Sequence, residues 1–277
     1  MNAARAGEAD KARVRLIGLP TDVHSSFLRG PASAPPAIRA ALASDHSNLA
    51  CEAGFELAAD IVVEDAGDLP LHEDAGDDAI IRAAVADAIA AAAVPIALGG
   101  DHAVSFPLVE AVAAAHGPLN VLHIDAHPDL YDDFGGDPRS HASPFARILE
   151  GSHARRLIQV GIRTLNAHCR AQAERFGVEI VPMRGFMPAD VPVLDAPLYI
   201  SIDLDGFDPA FAPGVSHHEP GGLSVREVLD ILDRQTARVV GADIVELNPA
   251  RDRDGVTATL AAKLVKELAG LIARNGA

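Results

Sequence analysis

The chain has 277 residues, 49% of them hydrophobic, which is enough for one large domain with a substantial core and too apolar for a disordered chain. Its formal net charge of −16 argues against a nucleic-acid partner, because binding a phosphate backbone needs clustered Lys and Arg; the excess favours cationic ligands. The most apolar stretch, 88–100, is too short to span a bilayer and contains Pro95, so no membrane partner is expected.

Residues 1–13 are polar and charged, without the apolar segment of a secretory signal. Cys51 and Cys169 have no metal-type Cys neighbour. The expectation is a soluble cytoplasmic protein with reduced thiols, a 51–169 disulfide remaining open. The pattern then alternates. A strand is expected at 14–18, a Pro-rich loop at 29–36, a helix at 37–43 and a short strand at 61–63. An amphipathic helix at 79–93 leads to a strand at 95–98, a helix at 104–116 and a strand at 120–124. Further strands are expected at 157–161, 178–181, 198–202 and 237–244, with helices at 166–176, 224–234 and 256–273. Ser224 followed by Glu227 has the spacing of a capping box at the start of one of these helices. Short apolar strands alternating with helices imply a parallel sheet covered on both faces, in a single α/β domain.

The polar clusters fall just beyond strand ends, where ligands collect in open α/β sheets. His102 follows the strand at 95–98, Asp125, His127 and Asp129 follow 120–124, Asp203 and Asp205 follow 198–202, and Glu246 follows 237–244. Negative charge placed at the end of an apolar run is costly unless a cation neutralises it. Spacings of two residues would put Asp125, His127 and Asp129 on one side of an extended chain, and Asp203 with Asp205. Gly99 and Gly100 would let the backbone turn sharply before His102. Four carboxylates roughly balance two divalent ions. Four Asp, two His and no thiolate lean toward Mn²⁺, with Fe²⁺, Co²⁺ or Ni²⁺ as alternatives. Two metals about 3.5–4 Å apart can activate one bridging water at neutral pH. An isolated Asp-x-Asp after a strand is commonly a turn or helix cap. Three such segments with six ligand-type side chains are a different matter.

Gly-Gly-Asp-His (99–102), Asp-Ala-His-Pro-Asp (125–129) and Ser-Ile-Asp-Leu-Asp-Gly-Phe-Asp-Pro (201–209) resemble the three signatures of the ureohydrolase family, which includes arginases and agmatinases. The likeness runs from Leu16 to the final helix. It implies a three-layer α/β/α sandwich with a central, mostly parallel eight-stranded sheet spanning 1–277, with 1–12 as a flexible extension. It also implies two Mn²⁺ ions and a homo-oligomer, trimeric or hexameric. His102 and Asp129 would bind one ion, His127 and Asp205 would fall to the other or between them, and Asp125 and Asp203 would bridge. His141, in Ser-His-Ala-Ser-Pro-Phe, matches a histidine thought to shuttle protons or contact substrate. Glu246 matches the glutamate that pairs with the substrate guanidinium. Asp129 would relay a proton to the leaving amine.

Within the family, His-Pro-Asp-Leu-Tyr-Asp (127–132), Val-Gly-Ile-Arg (160–163) and Gly-Val-Ser-His-His-Glu-Pro-Gly-Gly-Leu (214–223) resemble plant-type arginases. Animal arginases have Asn where this chain has Tyr131, and an Asp for the α-amino group where it has Asn166. They carry a Thr-Gly-Thr-Pro loop where this chain has Val215 to His218. Asn166 and His217 are taken as substrate contacts, His217 and His218 lying near the mouth. The reaction implied is arginine hydrolysis to ornithine and urea; agmatine and other guanidino acids are the alternatives. Related deacetylases typically use one Zn²⁺ and lack the paired Asp set, and non-catalytic members would lose ligands that are all present here. His24, His46, His72, His116, His153 and His168 read as surface or cap residues, and His123 as core or as a neighbour of the ligands.

Overall fold

The structure, a computed structural model, describes residues 11–276; most of the extension expected at 1–12 lies outside them. Eight strands form one sheet: β1 (Arg13–Gly18), β2 (Val62–Asp68), β3 (Val94–Leu98), β4 (Leu119–Ile124), β5 (Ala154–Val160), β6 (Glu179–Val181), β7 (Leu198–Asp203) and β8 (Val239–Val245). All pairings are parallel, in the order β2-β1-β3-β8-β7-β4-β5-β6. The helices are α1 (Ala34–Leu42), α2 (Asp77–Ala90), α3 (Ser105–His116), α4 (Pro144–Glu150), α5 (Ala167–Phe176), α6 (Val225–Arg234) and α7 (Val256–Asn275).

Side chains alternate across the sheet with the period of two that a strand imposes. Val14, Leu16, Ile96, Leu98, Leu122 and Ile124 face a core shared with α1, α6 and α7. Ile17, Ala97, Leu119 and Val121 face a second core shared with α2, α3, α4 and α5. Both faces are therefore apolar and covered, which is why the central strands read as continuous hydrophobic runs. The result is the expected three-layer sandwich.

Several elements depart from the expectations: the Pro-rich segment expected as a loop at 29–36 is helical from Pro31, its prolines sitting in first turns that need no N–H from them, and β5 starts at Ala154 and not at 157. The strand expected at 61–63 runs on to Asp68, because β2 is an edge strand whose Glu64, Asp65 and Asp68 face solvent and arginines. Helix α4 forms where no helix is expected; Pro144 opens it, and its Phe145 and Ile148 are fully buried. The Ser224–Glu227 capping box is present as expected, each side chain bonding the other residue's backbone N–H.

Four strands matter for the site: β3, β8, β7 and β4. They are consecutive neighbours at the centre of the sheet and end at the same edge. Residues 98–102, 124–129, 203–205 and 246 thus meet in space although they are far apart in the chain.

Candidate metal centre and substrate cavity

The loop after β3 starts with Gly99 and Gly100, neither of which needs a left-handed backbone. Their role is close approach, not the sharp turn expected. A Cβ on Gly100 would lie 2.1 Å from the Thr21 carbonyl oxygen, and the Gly99 and Gly100 amides donate to Ile244 and Leu19 on either side. Asp101 caps the turn that follows, and His102 is driven beneath the sheet edge with no exposed surface. After β4 the chain does not stay extended. Asp129 adopts a left-handed backbone (φ 48°), so Asp125, His127 and Asp129 converge through a folded loop and not through strand alternation. Asp203 is the last residue of β7, and its Oδ1 accepts the Asp205 N–H at 2.7 Å in a single 3₁₀ turn. Glu246, also left-handed (φ 65°), follows directly on β8.

All six expected ligands come together in two groups. His102 Nδ1 lies 3.1 Å from Asp125 Oδ2, 3.0 Å from Asp129 Oδ2 and 3.2 Å from Asp203 Oδ2. His127 Nδ1 lies 3.5 Å from Asp125 Oδ1 and 3.1 Å from Asp205 Oδ2. Asp125 therefore turns one oxygen toward each group. Separations near 3 Å are the edge lengths of a coordination shell with bonds of about 2.1 Å. His102 Nδ1 is buried and has no hydrogen-bond partner among the described residues, as a lone pair reserved for a cation would.

Charge supports the same reading. Burial, together with neighbouring Asp205 and Asp125, pushes Asp203 well above the usual carboxylate range. Asp205 is raised by burial too, against the pull of His127. Burial opposes the charge on His102, but Asp125, Asp129 and Asp203 outweigh it and raise the imidazole well above its ordinary value. A carboxylate cluster that can ionise fully only at such cost calls for added positive charge, and the oxygen- and imidazole-rich donor set fits divalent ions of the Mn²⁺ type.

The ligands are themselves held. His102 Nε2–H donates to Ser201 Oγ (3.0 Å), which donates to Asp243 Oδ1 (2.7 Å); Tyr199 and Ser105 hydroxyls donate to Asp243 Oδ2. This relay fixes the tautomer that leaves Nδ1 bare. Gln159 donates to His123 Nδ1 (3.0 Å), so His123 Nε2–H donates to Asp125 Oδ2 (2.8 Å), and the ring stacks on Phe145. His123 is thus a neighbour of the ligands. Ser201 falls in the Ser-Ile-Asp-Leu-Asp segment, but nothing near it in sequence marks its partner; Asp243, a carboxylate inside an apolar strand, is the signal for that partner.

Beside the cage is a cavity of about 330 Å³ lined by, among others, His127, Asp129, His141, His217, Glu219 and Glu246. His141 Nδ1 bonds Glu246 Oε1 (2.8 Å), which also accepts the His102 N–H (2.9 Å); Oε2 accepts nothing from the described residues. On the far side, His141 Nε2 meets the Ser26 N–H (3.1 Å) and hydroxyl (2.8 Å). Ser26 belongs to a loop tied down by Asp101, which accepts the His24 N–H, and was missed in the sequence because nothing local marks it. Burial opposes protonation of His141, but Glu246 outweighs it and raises the imidazole to about 9. The Ser26 amide pulls the other way, since it needs a lone pair on Nε2.

Asn166 reaches the cavity wall, yet its amide is occupied. Its Oδ1 accepts the Cys169 N–H (2.9 Å) as the cap of α5, and its Nδ2 donates to Tyr131. His217 faces the cavity, its ring 5.3 Å from His141 and 5.8 Å from His127, whereas exposed His218 donates to the Pro213 carbonyl. Four other histidines have partners: His24 pairs with Asp137, His46 bonds the Ser44 hydroxyl, His153 lies 3.8 Å from Glu110, and His168 pairs with Asp132 and stacks on Tyr131. Cys51 and Cys169 are both buried and free, so the open disulfide does not form.

Comparisons with known proteins agree with this geometry. The profile of the Arginase family matches residues 12–270. The chain is 51% identical to "Arginase 1, mitochondrial" of Arabidopsis thaliana over 95% of its own length and 82% of that protein's. The arginase structure from Medicago truncatula overlays with a TM-score of 0.90 at 45% identity, covering 94% of this chain and 87% of that one. A hypothetical agmatinase from Burkholderia thailandensis overlays at 0.84 with 29% identity, covering 98% and 88%. The chain belongs to the Arginase family. It is a hydrolase of carbon–nitrogen bonds in guanidino-type compounds. One expectation is corrected here. The Arabidopsis relative is named mitochondrial, which points to an organelle and not to the cytoplasm. Compartment is set by an address that receptors read, and the folded domain does not encode it.

Proposed function

We propose that this protein is an arginase, hydrolysing L-arginine to L-ornithine and urea with two Mn²⁺ ions. The observation that carries the reading is the juxtaposition of the six-residue cage with buried Glu246, one of whose oxygens is unclaimed. The strong identity to named arginases over nearly the whole chain favours arginine over agmatine.

His102, Asp125, Asp129 and Asp203 would hold one ion, and His127, Asp125 and Asp205 the other, with Fe²⁺, Co²⁺ or Ni²⁺ as possible substitutes. When bound, such a pair supplies water deprotonated near neutral pH and a positive centre for negative charge that develops on the substrate. Glu246 Oε2 takes the guanidinium, a charge-assisted contact that is strong in a buried site and fixes the carbon to be attacked. The His102 N–H and His141 Nδ1–H on Oε1 keep that carboxylate from rotating. Asp129, which lines the cavity, would pass a proton to the leaving nitrogen. His141, linked to Ser26 on its outer nitrogen, carries protons between the cavity and solvent. Assembly into a trimer or hexamer is part of the same proposal.

The test is urea release by Mn²⁺-loaded protein, with arginine, agmatine and 4-guanidinobutyrate assayed side by side. Arginine should give the highest kcat/KM; a clear preference for either of the others would overturn the assignment.

A further inference from the structure

Glu219 stands out among the cavity's acidic residues. Asp129, Asp203 and Asp205 belong to the cage, and Glu246 is bound to His141 and the His102 amide. The Glu219 carboxylate has no hydrogen-bond or ionic partner among the described residues, although it lines the same cavity and is half-buried. Its backbone, by contrast, is fixed. Arg163 Nε (2.9 Å) and Nη2 (2.5 Å) both donate to the Glu219 carbonyl. The same guanidinium binds the carbonyls of Gly161, Asp205, Gly206 and Phe207, joining this loop to the ligand turn. Two residues on, Asp208 accepts the Gly221 and Gly222 amides, and His218 ties the loop back to Pro213. A free carboxylate on an immobilised loop is pre-organised for a ligand.

What that ligand group is follows from the rest of the wall. No Lys or Arg lines the cavity among the described residues, so a substrate carboxylate would find no opposite charge there. Asn166, the residue placed for an amino group by likeness, has its carbonyl oxygen committed to capping α5. The cavity thus offers two available carboxylates, that of buried Glu246 and that of half-buried Glu219. That pattern suits a substrate with a guanidinium at one end and an ammonium group at the other.

We propose that Glu219 is a specificity-determining residue that receives the ammonium group of the substrate, at the end remote from the guanidinium. The inference rests on the guanidino-hydrolase reading and deepens it by saying which second group is recognised.

Three substrates separate the groups. Arginine carries both the ammonium and the carboxylate, agmatine lacks the carboxylate, and 5-guanidinovalerate lacks the ammonium. In Glu219→Gln, kcat/KM should fall about tenfold or more for arginine and agmatine, chiefly through KM, and stay within about twofold for 5-guanidinovalerate. Unchanged metal content and thermal midpoint would show that the variant is folded; a half-buried side chain with no partner should affect neither. An equal fall for all three substrates, or none, would overturn the proposal. Calorimetric binding to the Mn²⁺-loaded protein gives a readout without turnover. Glu219→Gln should weaken ornithine and leave 5-aminovalerate, which lacks the α-ammonium, unaffected; equal effects on the two would also overturn it. If the unaltered protein releases urea from neither arginine nor agmatine, the arginase reading fails, and the calorimetric pair still decides the role of Glu219.

Discussion

Acidic residues gather in two regions of this molecule and are neutralised in opposite ways. Along the outer strand β2, Glu64 pairs with Arg13 and Arg15, while Asp65 and Asp68 pair with Arg39. These groups are partly solvated, and the arginines hold Glu64 below its ordinary value. At the ends of the four central strands, Asp125, Asp129, Asp203 and Asp205 are buried, and among the described residues imidazoles, but no Lys or Arg, reach them within ion-pair distance. A protein can leave buried carboxylates without arginine only where something else brings the charge. The outer strand shows what a self-sufficient acidic patch looks like, and the cage is its opposite.

The contrast can be broken most sharply at Asp203. Asp203→Ala should abolish urea release and lower the bound-metal stoichiometry, measured by plasma emission on dialysed protein; an active, fully metallated variant would remove this residue from the cage. Asp243→Asn should act one step further out. It preserves shape but removes the charge that orders Ser201 and hence His102, so Mn²⁺ affinity should drop about 10–100-fold while the fold persists. An unchanged affinity in a metal-buffered titration would make Asp243 merely a packing group.

The pH dependence should sharpen the comparison next. In metal-free protein His102 is raised above its ordinary 6.5. A group raised on folding contributes stability that is complete below the unfolded value and is lost as pH rises through the folded one. Raised Asp203 and Asp205 act in the same direction. Metal-free protein should therefore lose thermal stability as pH climbs above about 6.5, whereas Mn²⁺ binding, which expels those protons, should tighten over the same range. Melting curves with and without saturating Mn²⁺ that run parallel across this window would contradict the assignment. The smallest effect belongs to the outer strand. Arg39→Ala should cost at most about 1 kcal/mol, less in high salt, with metal binding untouched.

The sequence disclosed the cage more fully than it disclosed the support around it. The six ligands occupy three short segments, each at the end of an apolar run, so both their chemistry and their placement were visible. The convergence itself came from topology, since β3, β8, β7 and β4 are neighbours only after folding. The supports are single residues whose partners lie far away in the chain. Ser26 meets His141 from 115 residues off, and Gln159 meets His123 from 36. No local pattern encodes such pairs. Helix α4 was hidden because it is short and opens on Pro144, and β2 because an outer strand carrying charges lacks the apolar signature used to find the others.

The left-handed backbones of Asp129 and Glu246 have an evolutionary reading. Non-glycine residues in that conformation carry strain of about 1–3 kcal/mol each, which Gly or Asn would relieve. A population selected for heat tolerance with no demand for turnover would drift toward those residues at 129 and 246. The acids therefore mark positions where robustness is traded for chemistry, and engineering for durability should leave both alone.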